Sequence, residues 1–259
     1  MENGSRAVKK HFTLIELMVV IGMAALLMGL AIPAYNKIMK STSVDREAAL
    51  FKLAIEQAQA KAVTSRRDVA LIIPNGAKNK FCGSTNSLND TPQFNNNTYS
   101  KYYLGSARMA YVQKNSGGGW DFVRWVPDSK WLEPMQGVKI ILVTDNYDDL
   151  PEKVDDEFKT GKFVDTVTGT DLYRGSNSGA FVTISGIEGN PTVESGIIFS
   201  PYGNLRSRKD LYIALAECDL SGDNLVYPKD STGSSRPANF LVLDINRVNG
   251  KVSYHAYKE

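Results

Sequence analysis

HFTLIELMVVIGMAALLMGLAIPAY, residues 11–35, decides how the rest of the chain is read. From Phe12 to Ile32 the only strongly polar side chains are Thr13 and Glu16. A run of that length matches the ~20 residues a helix needs to cross the ~30 Å hydrocarbon core of a bilayer. Arg6, Lys9 and Lys10 precede it, and positive charge on that side orients the helix N-terminus toward the cytoplasm. The remainder of the chain is then expected outside the cytoplasm.

Three readings of the run differ in what they make of Glu16. A cleaved secretory signal could use the small residues Gly29 and Ala31 as its processing site, but Glu16 interrupts the apolar centre such a signal needs. A plain membrane anchor would carry an ionisable group costing about 2.5–3.5 kcal/mol at the helix centre, less near an end, with no task for it. In the third reading the chain is cut between His11 and Phe12. Phe12 then bears a free amine, and Glu16 lies one helical turn from it. The helix dipole favours a carboxylate in that turn. In a bundle of such helices, Glu16 of one subunit can pair with the terminal amine of its neighbour.

The basic leader, Phe-Thr-Leu-Ile-Glu and the apolar helix that follows resemble the N-terminal segment of type IV prepilins and type II secretion pseudopilins. Pro33, followed by Ala34 and Tyr35, falls where that family has its kinking proline. The resemblance implies a leader over 1–11, removed by a prepilin peptidase that also methylates the new N-terminus at Phe12. It implies assembly with other pilin or pseudopilin subunits on an inner-membrane platform, with Glu16 and Pro33 as assembly residues. The family usually places glycine before the cut, where this chain has His11.

Between Pro33 and Pro74 there is neither proline nor glycine. Leu50, Phe51, Ala54, Ile55, Ala58 and Ala62 recur at spacings of three and four, while Lys52, Glu56, Gln59 and Lys61 fill much of the other side. This predicts an amphipathic continuation over 34–68, leaving at Arg66, Arg67 and Asp68. A helix from Phe12 to about Ser65 would be ~80 Å long at 1.5 Å per residue. Its transmembrane or filament-core part is expected over 12–33. Ala25 and Gly29 add a weak small-xxx-small spacing for close helix approach.

From residue 69 onward short apolar runs alternate with Gly, Asn, Asp, Ser and Pro. Strands are predicted over 69–73, 108–112, 120–126, 138–144, 180–185, 194–200, 211–217, 240–245 and 251–257, with a hairpin turn at Val248–Gly250. The expected fold is α+β and pilin-like: one long N-terminal helix packed on a mostly antiparallel β domain over 69–259. AKAVTSRRDVALIIP, GIIFSPYGNLRSRKDLYIALAE and NFLVLDINRVNGKVSYHAY together resemble minor pilins and pseudopilins of the FimT/GspH type. Insertions are expected near 83–100, polar and Asn-rich, and near 145–178, which opens with the acidic DNYDDLPEKVDDEF. Clustered oxygens there or in DLSGDN (219–224) could hold calcium, but neither has EF-hand spacing, and a solvated acidic loop is the simpler reading.

Composition narrows the function classes. Of 30 basic and 28 acidic side chains, three basic and one acidic precede Phe12, so the chain beyond the leader is electrically balanced and offers no general polyanion surface. Arg206, Arg208 and Lys209 sit in one turn and are a possible ligand contact, DNA phosphates included, although ordinary turn solubility is the simpler account. Cys82 and Cys218 form no CxxC pair; in an exported domain they are a possible disulfide. With only His11 and His255, no zinc site and no cofactor are expected. No nucleophile-elbow or phosphate-loop motif occurs, and His255 is the single histidine left as a base, so a non-enzymatic role is expected. Trp120, Trp125 and Trp131 read as core or sheet-face residues.

Overall fold

The computed structural model describes residues 13–74, 102–134, 137–147, 150, 173–174, 182–187, 194–221, 224–226, 237 and 239–258. Its contacts divide the chain into two units, 1–40 and 41–259. Helix α1 (Leu14–Ser65) is continuous for 52 residues, with Pro33 inside it. Insertion 83–100 lies outside the described residues, as does most of 145–178.

The second part of α1 forms because its apolar positions keep a helical period and no breaker intervenes. Val44, Ala48, Phe51, Ile55, Ala58 and Ala62 are buried in the main core. Leu50 and Ala54, expected in that stripe, sit half-buried at its margins. Glu47 is fully buried within the stripe, which apolar periodicity did not flag. The helix stops at the expected place by local means. Arg66 adopts the left-handed region at φ 52°, its N–H donates to the Val63 carbonyl at 3.3 Å, and the Arg67 N–H donates to that of Ala62 at 3.3 Å. That is a Schellman termination, with arginine where glycine is usual.

Twelve strands follow: β1 (Val69–Ile73), β2 (Arg108–Lys114), β3 (Trp120–Trp125), β4 (Val138–Thr144), β5 (Tyr173–Arg174), β6 (Val182–Ser185), β7 (Glu194–Phe199), β8 (Leu211–Glu217), β9 (Asp219–Ser221), β10 (Asn224–Val226), β11 (Asn239–Ile245) and β12 (Val252–Lys258). The single covering sheet expected from sequence is in fact divided. β1-β2-β3-β6-β7 close into a small barrel, β12-β11-β8-β4-β5 form a five-stranded sheet, and β9 and β10 form a hairpin. Pairing is antiparallel except for β3 with β6 and β4 with β5. The 145–178 insertion is therefore not all loop: β5 extends the edge of the sheet. Of DLSGDN, Asp219–Ser221 form β9 and Asn224 opens β10, and these two strands pair antiparallel.

The barrel explains why VALII is apolar without alternation. Val69, Leu71 and Ile73 join the core that α1 covers, while Ala70 and Ile72 join a second core with Ala110, Val112, Trp120, Ile184 and Ile198. Successive side chains point to opposite faces, and both faces are buried. Gly196 makes the fit possible, since a Cβ there would lie 2.9 Å from Ile184 Cδ1 and 3.1 Å from the Leu71 carbonyl oxygen. Phe122, Trp125 and Trp131 pack on this second core, with the two tryptophan rings edge-on at 5.5 Å. The Arg108 guanidinium lies 4.4 Å from the Trp125 ring and donates from Nε to the Ser129 carbonyl at 3.0 Å. Such a stack is worth about 0.5–2 kcal/mol. The tryptophans are core and face residues, as expected.

Candidate functional site

The sequence singles out two places, one in each unit. At the first, Thr13 caps α1. Glu16 Oε2 accepts from the Thr13 N–H at 2.8 Å and from its hydroxyl at 2.9 Å, while the Glu16 N–H donates back to Thr13 Oγ at 3.3 Å. Thr-x-x-Glu before an apolar run is the signature of a capping box, in which side chains satisfy otherwise unpaired first-turn N–H groups. The motif is visible in the sequence as Thr13 and Glu16 three residues apart. Glu16 thus has a partner within its own chain, Thr13. Both bonds fall on one oxygen. His11 and Phe12, and the cut between them, lie outside the described residues, as does the side chain of Pro33.

Beyond the cap, Leu14, Ile15, Leu17, Met18, Val19, Val20, Ile21, Met23, Leu26, Leu27 and Met28 are all exposed. At 3.6 residues per turn, positions this dense face every direction around the helix. An apolar surface of this kind marks a site that lipid or other protein chains cover. The side chains of the apolar run are described from Thr13 to Gly29, whereas the span expected over 12–33 reaches past both ends. Among the described residues no helix is long and apolar enough to cross a membrane.

The second place is the turn that carries Arg206, Arg208 and Lys209. Arg206 is already engaged by a carboxylate: its Nε lies 2.7 Å from Asp68 Oδ1, tying the turn to the helix exit. The Arg208 carbonyl accepts from the Arg247 guanidinium, so this turn is laced to the turn joining β11 and β12. Asp210 Oδ1 also accepts from the Arg247 N–H at 2.7 Å, and the Leu205 N–H donates to the Arg247 carbonyl at 2.9 Å. Gln59, assigned from sequence to the solvated side of α1, clamps both turns. Its Nε2 donates to the Gly203 carbonyl at 2.7 Å and to the Asn249 carbonyl at 2.6 Å. No periodicity could have found that, because the contact joins residues 144 and 190 positions apart.

The other sequence candidates are dispersed. Cys218 is buried just after β8, its N–H donating to the Gly137 carbonyl at 2.9 Å, while Cys82 lies outside the described residues. His255 is exposed on β12. Burial holds the Asp244 carboxyl above its usual range, with the negative charge of Asp210 adding to this and His255 opposing it. Burial also pushes the Tyr102 hydroxyl up to about 12, helped by its 2.6 Å bond to Glu133. Among the described residues no three His, Cys, Asp or Glu side chains are grouped to hold a metal ion.

No protein-family model matches this chain, and no curated protein does. Among solved structures it is similar to the minor pseudopilin EpsH from the Type 2 Secretion System of Vibrio cholerae. The two align at 9% identity over 83% of this chain and 97% of that one, with a TM-score of 0.33.

Proposed function

We propose that this chain is a structural minor subunit of a type II secretion pseudopilus or type IV pilus, cleaved before Phe12 and methylated there. The observation that carries the reading is the first part of α1: eleven large apolar side chains exposed around a helix that begins at a Thr13–Glu16 cap. Such a surface needs lipid before assembly and neighbouring helices afterwards, which is the life of a filament subunit. The reading rests on these residues and on the motif they form, not on the likeness to EpsH.

The partners are a prepilin peptidase, other pilin or pseudopilin subunits and an inner-membrane assembly platform. The helix is held in the inner membrane with the β domain on the periplasmic side until the subunit enters the filament. Pro33 and Glu16 are the assembly residues, Glu16 through one carboxylate oxygen while the other serves the cap. A second reading, a filament-borne binding module using Arg206, Arg208 and Lys209, is weakened by the bond that Arg206 already makes to Asp68.

Intact mass and N-terminal sequencing of the protein from membranes of a host with an active prepilin peptidase tests the processing. A start at Phe12 with one added methyl is expected; a start near Ile32 would mean a conventional secretory signal and would overturn the filament reading. Glu16→Gln separates the two roles of the carboxylate. Glutamine preserves a capping box but removes the charge that would meet a neighbour's amine. The variant is expected to insert normally and to fail in assembly; normal assembly by it would leave Glu16 with the cap alone.

A further inference from the structure

The end of the β domain beside Gln59 carries an apolar feature that the filament reading does not use. Tyr202 is 90% exposed and Val248 is 68% exposed, on two different turns. Both turns are fixed. Tyr202 is adjacent to Gly203 and Val248 to Asn249, and the carbonyls of Gly203 and Asn249 both accept from the single Nε2 of Gln59. Gly203 and Gly250 hold left-handed backbone at φ 83° and 65°, and a Cβ on Gly250 would meet the Gly203 carbonyl oxygen at 2.6 Å. Asn246 Oδ1 accepts from the N–H groups of Val248 and Asn249, and Ser200 Oγ accepts from that of Tyr202. Val63 of α1, also exposed, lies against Gly203. Two exposed apolar side chains thus sit on turns that Gln59 ties together and that further hydrogen bonds hold.

Their surroundings are cationic. Across 200–210 and 246–251 the chain has Arg206, Arg208, Lys209, Arg247 and Lys251 against the single carboxylate of Asp210. Arg206 is neutralised by Asp68. Among the described residues no carboxylate pairs with the side chain of Arg208, Arg247 or Lys251, and all three are exposed. An otherwise charge-balanced chain has therefore concentrated positive charge around the most exposed aromatic side chain among its described residues.

We infer that this tip docks on an anionic phospholipid surface, Tyr202 and Val248 entering the interfacial layer while Arg208, Arg247 and Lys251 meet lipid phosphates. Tyrosine suits that layer because its ring is apolar and its hydroxyl stays hydrated. Cations near an anionic membrane add favourable attraction, and turns already held by hydrogen bonds need little ordering on binding. A folded protein partner fits less well. Two or three exposed side chains are far below the ~1,000 Å² that a specific protein interface buries. Bare phosphate chemistry would use the cations but gives Val248 no role. The site is independent of the apolar part of α1, so it stands or falls apart from the filament reading.

The test is flotation of the full chain, carried in nanodiscs of phosphatidylcholine, with larger vesicles of phosphatidylcholine alone or doped with phosphatidylglycerol. Wild type is expected to float with the anionic vesicles only, and to release as salt rises. Tyr202→Ser with Val248→Ser, and separately Arg208→Glu with Lys251→Glu, should each lower the bound fraction roughly tenfold. These side chains are exposed, so both variants should keep the wild-type circular dichroism spectrum and thermal midpoint. Equal flotation with neutral and anionic vesicles, or unchanged flotation of the serine variant, would overturn the proposal. So would displacement by a single-stranded oligonucleotide that binds wild type and serine variant alike, since that would make the patch a phosphate site without an apolar component. Failure of the chain to enter nanodiscs would count against the membrane helix alone; the difference in flotation between the free wild-type chain and the free serine variant then reads the tip.

Discussion

One helix meets two environments along its length. From Val44 to Ala62, α1 buries a stripe of one residue in three or four against two sheets of its own chain. From Leu14 to Met28 it carries apolar side chains on every side, Glu16 being the one charged residue, and those apolar side chains are exposed. The comparison teaches that a helix's pattern names its solvent. Periodic apolarity asks for a partner the chain itself supplies, whereas unbroken apolarity asks for one it does not.

The sharpest way to break the comparison is to make equal truncations on both sides of it. Phe51→Ala should cost the β unit about 3–5 kcal/mol, read from denaturant midpoints, because a fully buried ring leaves a cavity. Leu17→Ala, in the exposed part, should leave that midpoint within about 0.5 kcal/mol. A comparable loss from both would mean that the two parts of α1 share one solvent.

Gly250→Ala comes next. It forces an L side chain into left-handed backbone and against Gln59 Nε2, and should cost roughly 2 kcal/mol or more. Gln59→Ala should loosen the same two turns, visible as faster amide exchange at Gly203 and Gly250. In the opposite direction, Arg66→Gly should stabilise by about 1 kcal/mol, since glycine takes the Schellman position without the Cβ penalty. The smallest effect is pH-dependent. Asp244 is held above its unfolded carboxylate range, so its contribution is fully present below that range and is lost as pH rises through the folded value. Asp244→Asn should therefore raise the thermal midpoint at neutral pH and make no difference in acid.

Much of this was legible because it is local. VALII, VKIILVT and LYIALAE coincide with β1, β4 and β8, and the exit at Arg66 lies where the charged residues follow the stripe. What was illegible depends on pairs far apart in sequence. The barrel needs β6 beside β3 in parallel, and no turn signal encodes that neighbour. Short β5, β9 and β10 have too few residues to show a period. At the candidate sites, Glu16 stands out as an odd charge, and its partner Thr13 is legible three residues back as a capping-box spacing. The basic turn stood out too, while Asp68, which occupies Arg206, is 138 positions away.

The two ends of α1 share one property. Thr13 with Glu16 closes the first turn, and Ala62 to Arg67 close the last, each through bonds among residues no more than five apart. Start and stop are thus written into the helix itself, independent of what surrounds it. In any new surroundings neither terminus would need a new partner, because its end groups are satisfied before a neighbour arrives.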